Sequence, residues 1–390
     1  MKQLSSNRRA FCQQSAAISA ASLAHPALLA AAEPARPKVR IGVVGGNFGL
    51  HFFWADHPES TVTAVCDIRE DRLLALKERY RCETGYSDFH ELIRDPNVDA
   101  VAVFTPAPLH TYQCIQAMEA GKHVVCAVPA TCSLEECQQL IDAVHRTGMN
   151  YMMAETSYYR YQIIQCRRWA QEGRFGTVFH AEAEYLHEGL IDLMYDEDGT
   201  PDWRHGLPPM HYITHCTGMV IPVMGERLTE VTCIGWGDGH EVLQTNLYGN
   251  PFWNETAFFQ TEGGRSARLS VFWHVATAVV ERADFYGDRM SYFMPRAGRV
   301  PGFTGHGQPD VGVEEYETPD FWDVMPPEMR RRTPHGGSHT WITHEFVRSI
   351  IEERKPAIDV YEAVAYTAPG FCAHQSALRE GERIKIPQFG

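Results

Sequence analysis

The chain has 390 residues, 44% of them hydrophobic and 22% charged, the proportions of a soluble globular protein long enough for two cores. A formal net charge of −14 argues against a nucleic-acid or anionic-membrane partner. The eleven cysteines include no C-x-x-C pair, which excludes a zinc ribbon or a small disulfide scaffold and leaves most of them as buried thiols.

The first residues read as an export signal. Arg8-Arg9 precede an alanine-rich segment from Ala16 to Ala32, and Pro34 and Pro37 then lead into the fold. This is the pattern of a twin-arginine signal, so a periplasmic or extracellular location is expected; the alternative is a disordered alanine-rich tail. His25-Pro26 interrupts the segment, which would make a poor membrane anchor.

Val39 to Val44 is an apolar strand, followed by the turn Gly45-Gly46-Asn47-Phe48-Gly49 and a segment compatible with helix from Leu50 to Ala55. A second strand, Thr61 to Val65, ends at Cys66-Asp67. Strand, glycine turn, helix, strand and terminal acid form the dinucleotide-binding fingerprint. The glycines let backbone approach a pyrophosphate, a helix N-terminus faces its charge, and Asp67 can accept from a ribose diol. The spacing is G-G-x-x-G, one residue shorter than usual, so a tight phosphate loop is expected. Asp67 favours NAD over NADP, although Arg69 and Arg72 lie close enough to blur that preference.

Helical patterns follow at Arg72 to Tyr80, Asp88 to Ile93, Tyr112 to Ala120 and Leu134 to His145, the last with Ser133 as N-cap and Gly148 as stop. Between them lie strands at Asp99 to Phe104, His123 to Cys126 and Asn150 to Glu155. Such alternation implies a doubly wound parallel sheet. After a helix from Tyr161 to Glu172, period-two runs take over at Val178 to Tyr185, Thr229 to Trp236, Glu255 to Thr261 and Ser266 to His274. They suggest an open, largely antiparallel sheet with one exposed face, which favours a homo-oligomer. Residues 293–334 read as a long surface excursion, and helices are expected from Thr340 to Glu353 and from Val360 to Arg379. The fold class is therefore α/β, in three parts: signal peptide and linker (1–36), an NAD-binding Rossmann domain (37–156) and a substrate-binding α/β domain (157–390).

The chain resembles the glucose–fructose oxidoreductase, inositol dehydrogenase and rhizopine-catabolism family (Gfo/Idh/MocA). The resemblance runs from Lys38 to the C-terminus. It is carried by the glycine turn, Thr105-Pro106 with His110, Gly121-Lys122-His123-Val124, Pro129, Gly173-x-x-Gly176 and a late histidine motif. It implies a nicotinamide-dependent oxidoreductase acting on a carbohydrate or glycoside at a ring carbinol. The cofactor would contact Gly45, Gly46, Asn47, Phe48, Gly49, Asp67, Arg72, Thr105, Pro106, His110, Ala127, Pro129 and Glu155. Most dehydrogenases of the family read Glu-Lys-Pro where this chain reads Ala127-Val128-Pro129, and valine cannot take the hydroxyl proton that the lysine normally helps remove. Either the protein is a non-catalytic nucleotide- or sugar-binding homologue or another group holds that proton.

His211 and His215 are the candidates, four apart and on one face if their segment is helical, with Tyr212 to relay or orient. Two satisfied core histidines, or a metal pair, are the alternatives; no third ligand of predictable spacing is visible, and no metal is expected. Val128-Pro129, Glu184-Tyr185-x-His187, Trp203-Arg204 and Tyr212-x-x-His215 also resemble an NAD-dependent glycosidase branch associated with the family. That branch keeps its nicotinamide bound while it oxidises the sugar, eliminates the aglycone, adds water and reduces the ketone again. It typically reads Glu-Val-Pro, so Ala127 departs from it. Tyr185 is a further catalytic candidate, and with the substrate candidates Arg204 and Trp203 it could grip sugar hydroxyls or equally be an ordinary packing and pairing residue.

Overall fold

The computed structural model describes residues 38–188, 190–277, 279–296, 300–306 and 312–389. The expected signal at residues 1–36 lies outside the described residues. From Lys38 onward the chain forms one compact unit built on two sheets.

The first sheet contains β1 (Val39–Val44), β2 (Ser60–Cys66), β3 (Gly85–Tyr86), β4 (Ala100–Val103), β5 (His123–Cys126) and β6 (Tyr151–Met153). All pairs are parallel, in the order β3-β2-β1-β4-β5-β6. Helices α1 (Glu70–Tyr80), α2 (Phe89–Arg94), α3 (His110–Glu119) and α4 (Leu134–Thr147) make the connections. β4 reads Ala-Val-Ala-Val and is buried at every position, as a strand covered on both faces must be. The Ser133 hydroxyl caps α4 by accepting from the Glu136 N–H at 3.1 Å, and Gly148, left-handed at φ 69°, ends it. Strand order reverses between β1 and β4, which opens a crevice at their carboxyl ends.

One expected helix is missing. Leu50 to Ala55 is not helical; a four-residue 3₁₀ turn, Phe48–His51, is all that follows the glycine loop. In the stretch that follows, Phe52 and Trp54 are fully buried. The space is filled from the far end of the chain.

The second half begins with α5 (Tyr161–Gln171). Then follow β7 (Val178–Leu186), α6 (Thr214–Met224), β8 (Leu228–Trp236), α7 (Glu241–Gln244), β9 (Asn254–Thr261), β10 (Ser266–Phe272), β11 (Val280–Gly287), β12 (Met290–Phe293), β13 (Gly302–His306) and β14 (Val313–Tyr316). Last come α8 (Ser338–Ile351), α9 (Val360–Leu378) and β15 (Ile384–Lys385). The nine strands run β14-β13-β12-β11-β7-β10-β9-β8-β15, antiparallel except for the β7–β10 pair. β13 and β14 lie inside the stretch expected to be a surface excursion, so part of 293–334 extends the sheet instead.

Helix α8 takes the place of the missing Rossmann helix. Phe346 packs edge-on against Trp54, the Phe53 N–H donates to Thr343 Oγ1, and Arg348 pairs with Glu59 at 2.7 Å. The loop that follows the glycine turn is thus held by residues nearly three hundred positions away, a contact that no local pattern encodes. All ten cysteines among the described residues are free thiols, nine of them buried.

Candidate active site

The ends of the parallel strands set one wall of the site. Gly45, at φ 99°, lies so close to the Phe104 carbonyl that a Cβ would collide with it, and a Cβ at Gly46 would stand 2.6 Å from the Arg72 carbonyl oxygen. These two positions therefore require glycine and leave a bare backbone cradle. Asp67, at the end of β2, is buried; its carboxylate accepts from the Gly46 N–H at 2.6 Å and the Arg69 N–H at 2.9 Å. It shapes the glycine turn while keeping lone pairs for a ribose diol. This cradle and acid fit a dinucleotide. The helix dipole expected to face the pyrophosphate is not supplied, because the turn after the loop is too short for one. Arg69 pairs with Asp71, whereas Arg72 faces the cavity.

A cavity of about 310 Å³ runs from this wall to the second sheet. On the cofactor side it is lined by Asn47, Phe48, Arg72, Thr105, Pro106 and Ala127, with Val128 beside them, and on the other by Tyr185, Trp203, Arg204, Tyr212 and His215. The fold thus brings most of the expected site residues to one place. His51, Phe104, Ala154, Thr156, His187, Asp202 and His335 complete the lining.

Four expectations are corrected. His110 does not reach the cavity: its ring is buried between the Pro129 and Thr105 carbonyls, 2.8 Å from each, and ties the two cofactor-side loops together. Burial holds its pKa below the ordinary imidazole value despite those carbonyls. Pro129 does not line the cavity either; it follows a cis Val128–Pro129 bond and offers its carbonyl to His110. Glu155 is fully buried and serves His215 rather than the cofactor wall. His211 is turned away, because a 3₁₀ turn (Pro209–Tyr212) precedes α6 and the two histidines do not share a helix face. Its ring stands edge-on to Phe371 and His374, and burial with His374 beside it pulls its pKa down to about 3. Among the described residues no group of three or more His, Cys, Asp or Glu side chains is placed to hold a metal ion.

His215, on the first turn of α6, is the imidazole in the cavity lining that a buried carboxylate backs. Its Nδ1 lies 3.0 Å from Glu155 Oε1 and 3.2 Å from Ser157 Oγ, and its ring stacks on Tyr185 with centroids 4.4 Å apart. Gly218, one turn further on, makes the approach possible, since a Cβ there would stand 2.7 Å from Glu155 Cγ. With Nδ1 donating to the carboxylate, Nε2 is the nitrogen left to the cavity. Burial works against a charged ring, but Glu155, with Glu281 beyond it, outweighs burial and raises the His215 pKa. Glu155 is opposed by burial in the same way, yet His215 and the Ser157 N–H lower its pKa.

The phenols beside His215 hold their protons, and two neighbouring imidazoles are weaker bases. Burial raises the Tyr185 and Tyr212 pKa values, so both remain phenols that donate hydrogen bonds. Burial lowers those of His187 and His335. The Arg204 guanidinium stands 4.1 Å over the Trp203 ring and pairs with Asp202 at 3.2 Å, a flat amphipathic surface suited to a sugar. Ser157, Arg160 and Glu281, which stand behind His215, were not evident from sequence.

Comparison with known proteins agrees with this fold. Residues 39–155 match the family model described as an oxidoreductase family with NAD-binding Rossmann fold, Gfo/Idh/MocA, and residues 308–390 match the C-terminal domain of glycosyl hydrolase 109. A glycosyl hydrolase family 109 protein of Saccharopolyspora erythraea is 27% identical over 401 residues, covering 93% of this chain and 85% of that protein. One from Shewanella putrefaciens is 28% identical over 402 residues, covering 91% and 86%. Among solved structures, levoglucosan dehydrogenase in complex with NADH and levoglucosan superposes with a TM-score of 0.74 at 19% identity, covering 90% of this chain and all of that one. The apo scyllo-inositol dehydrogenase of Lactobacillus casei gives 0.68 at 15%, covering 90% and 99%. By these matches, residues 39–155 are similar to the NAD-binding Rossmann unit of the Gfo/Idh/MocA oxidoreductase family, and residues 308–390 to the C-terminal domain of glycosyl hydrolase 109.

Proposed function

We propose that this NAD-dependent enzyme oxidises a ring carbinol of a sugar or glycoside, with His215 Nε2 accepting the hydroxyl proton that a lysine takes in most of its family. One observation carries the reading: a carboxylate-backed imidazole faces the same cavity as the cofactor wall, where Val128 leaves the usual place without a base. Bound NAD supplies the hydride acceptor. The Gly45–Gly46 cradle and Asp67 hold it, Arg204 on Trp203 and the Tyr185 and Tyr212 phenols orient the sugar, and His215 removes the proton.

The match of residues 308–390 favours a second reading, net glycoside cleavage with NAD recycled in place. Oxidation makes the neighbouring C–H acidic, loss of that proton expels the aglycone, water adds, and the ketone is reduced again. His335 lies within the matched segment and lines the cavity, which supports this reading. Recycling also suits an exported enzyme, which has no pool of free NAD, and export itself is supported by Arg8-Arg9 and the alanine-rich run after them. Pairing of two copies belongs to the same proposal: Ile234, Trp236 and Phe258 are exposed on one face of the second sheet.

The purified protein separates the readings when mixed with a panel of glycosides. Aglycone release with no net change in the reduced-nicotinamide absorbance band establishes cleavage, and stoichiometric growth of that band establishes net oxidation. Neither response, with NAD bound, would refute both.

A further inference from the structure

A second buried carboxylate stands behind His215, and the proposed reaction does not use it. Glu281, on β11, has a side chain only 2% exposed. Its Oε2 accepts from Arg160 Nε at 2.9 Å and Nη2 at 2.7 Å, and from the Ser157 hydroxyl at 2.8 Å. Ser157 Oγ in turn lies 3.2 Å from His215 Nδ1. We propose that Glu281, clamped by Arg160 and acting through the Ser157 hydroxyl, is a positioning residue that keeps the His215 proton on Nδ1 and so keeps Nε2 open to the cavity.

Proton counting supports this. A serine hydroxyl has one hydrogen and two lone pairs, whereas an ionised carboxylate can only accept. Burial opposes ionisation of Glu281, but Arg160, His215 and the Ser157 hydroxyl bring its pKa down to about 2, so it is a carboxylate under all ordinary conditions. The Ser157 hydrogen is therefore committed to Glu281, and its oxygen can meet His215 only as an acceptor. Nδ1 then faces two acceptors, Glu155 Oε1 and Ser157 Oγ, and must carry the hydrogen. Without Glu281 the hydroxyl would be free to turn and donate to Nδ1. That would favour the tautomer with hydrogen on Nε2, which cannot take a proton from a substrate. Glu155 Oε1 accepts from the Ser157 N–H and keeps a lone pair for Nδ1, so it pulls the same way; Glu281 adds to it by removing the one donor that could compete for Nδ1.

The charge environment points the same way. Glu155 and Glu281 favour a protonated His215, and Arg160 opposes it. Tyr185 and Tyr212 face the ring as neutral phenols, and His187 and His335 border the same cavity. The inference rests on His215 being the base, but its test does not depend on turnover.

The full-length protein labelled with ¹⁵N-histidine reports the tautomer directly, His215 being assigned by the signal lost in His215→Asn. The wild type is expected to show a protonated Nδ1 and a pyridine-like Nε2 above its titration. Glu281→Gln, whose amide can donate to Ser157, is expected to give a tautomer mixture titrating at lower pH, with turnover about tenfold lower and KM little changed. In a Ser157→Ala background the same change should leave the tautomer untouched, because the hydroxyl through which it acts is gone. Glu281→Asp, which keeps the charge but withdraws it, should give the same mixture if the glutamine variant does not fold. A wild-type ring with hydrogen on Nε2, or a Glu281→Gln spectrum identical to wild type, would overturn the proposal. Absence of sugar turnover in the wild type would sink the functional reading while leaving this result decisive.

Discussion

Two buried glutamate–histidine pairs flank the turn that carries Tyr212, and they look alike. Glu155 meets His215 at 3.0 Å and Glu255 meets His374 at 2.9 Å; both carboxylates also hold a backbone N–H, those of Ser157 and Met210. The difference is where the second ring nitrogen goes. His215 lines the cavity, whereas His374 Nε2 is buried without a partner among the described residues, facing the side where His211 packs. A histidine backed by a carboxylate becomes chemical equipment only when its far nitrogen reaches a ligand. Otherwise the same pair is scaffold, here fastening α9 to the turn before α6.

The comparison breaks most sharply on replacing the two histidines. His215→Asn should lower turnover by roughly 10²–10⁴-fold with NAD still bound, the usual worth of general-base catalysis. His374→Asn should leave turnover per folded molecule near native. Equal losses in kcat would erase the distinction. Next in size is the scaffold's own contribution. Glu255→Ala leaves the Met210 N–H and His374 buried without an acceptor and should cost about 3 kcal/mol in a denaturant titration, with activity surviving in the folded fraction.

The pH response sharpens the contrast further. Because the His215 pKa is raised, its base form appears only above the ordinary imidazole range, so turnover should rise as pH climbs through that raised value. Stability runs the other way. The raised imidazole contributes fully below its unfolded pKa, and the contribution is lost as pH rises through the folded value. The depressed Glu155 contributes above the unfolded carboxylate pKa and is lost as pH falls through its lowered one. A pH–rate profile read beside denaturation midpoints should therefore show activity gained over the interval where the pair's stability declines. The smallest effect is expected of Tyr212→Phe, a several-fold loss in kcat/KM with the acidic limb unmoved, since this phenol only orients.

Much of this was legible in the sequence, for physical reasons that differ along the chain. The parallel strands announce themselves as continuous apolar runs, and Gly45, Gly46 and Asp67 by spacing. Tyr185, Arg204, Tyr212 and His215 were found through short motifs and do converge on one cavity. The helix expected at Leu50 to Ala55 failed because α8 occupies its place, a decision made by tertiary packing. His211 was misplaced because a 3₁₀ turn broke the i, i+4 relation with His215. Ser157 and Glu281 were invisible because they are 124 positions apart and meet only when β11 lies across from the end of β6. The stretch His335-Gly336-Gly337 is ambiguous by sequence, a helix lead-in or a pocket lining, and the structure gives the second: with φ of 54°, 64° and 86°, residues 335–337 form a bend that turns the imidazole into the cavity.

The central claim, that the substrate proton leaves through His215 Nε2, is most directly tested by chemical rescue. His215→Ala removes the ring, and imidazoles of graded basicity can then be added while nicotinamide reduction is followed in a single turnover with a responsive sugar. The account predicts a nearly silent variant whose rate is restored by imidazole and rises with the basicity of the added ring. A variant that reduces its nicotinamide at the native rate with no imidazole present would contradict it.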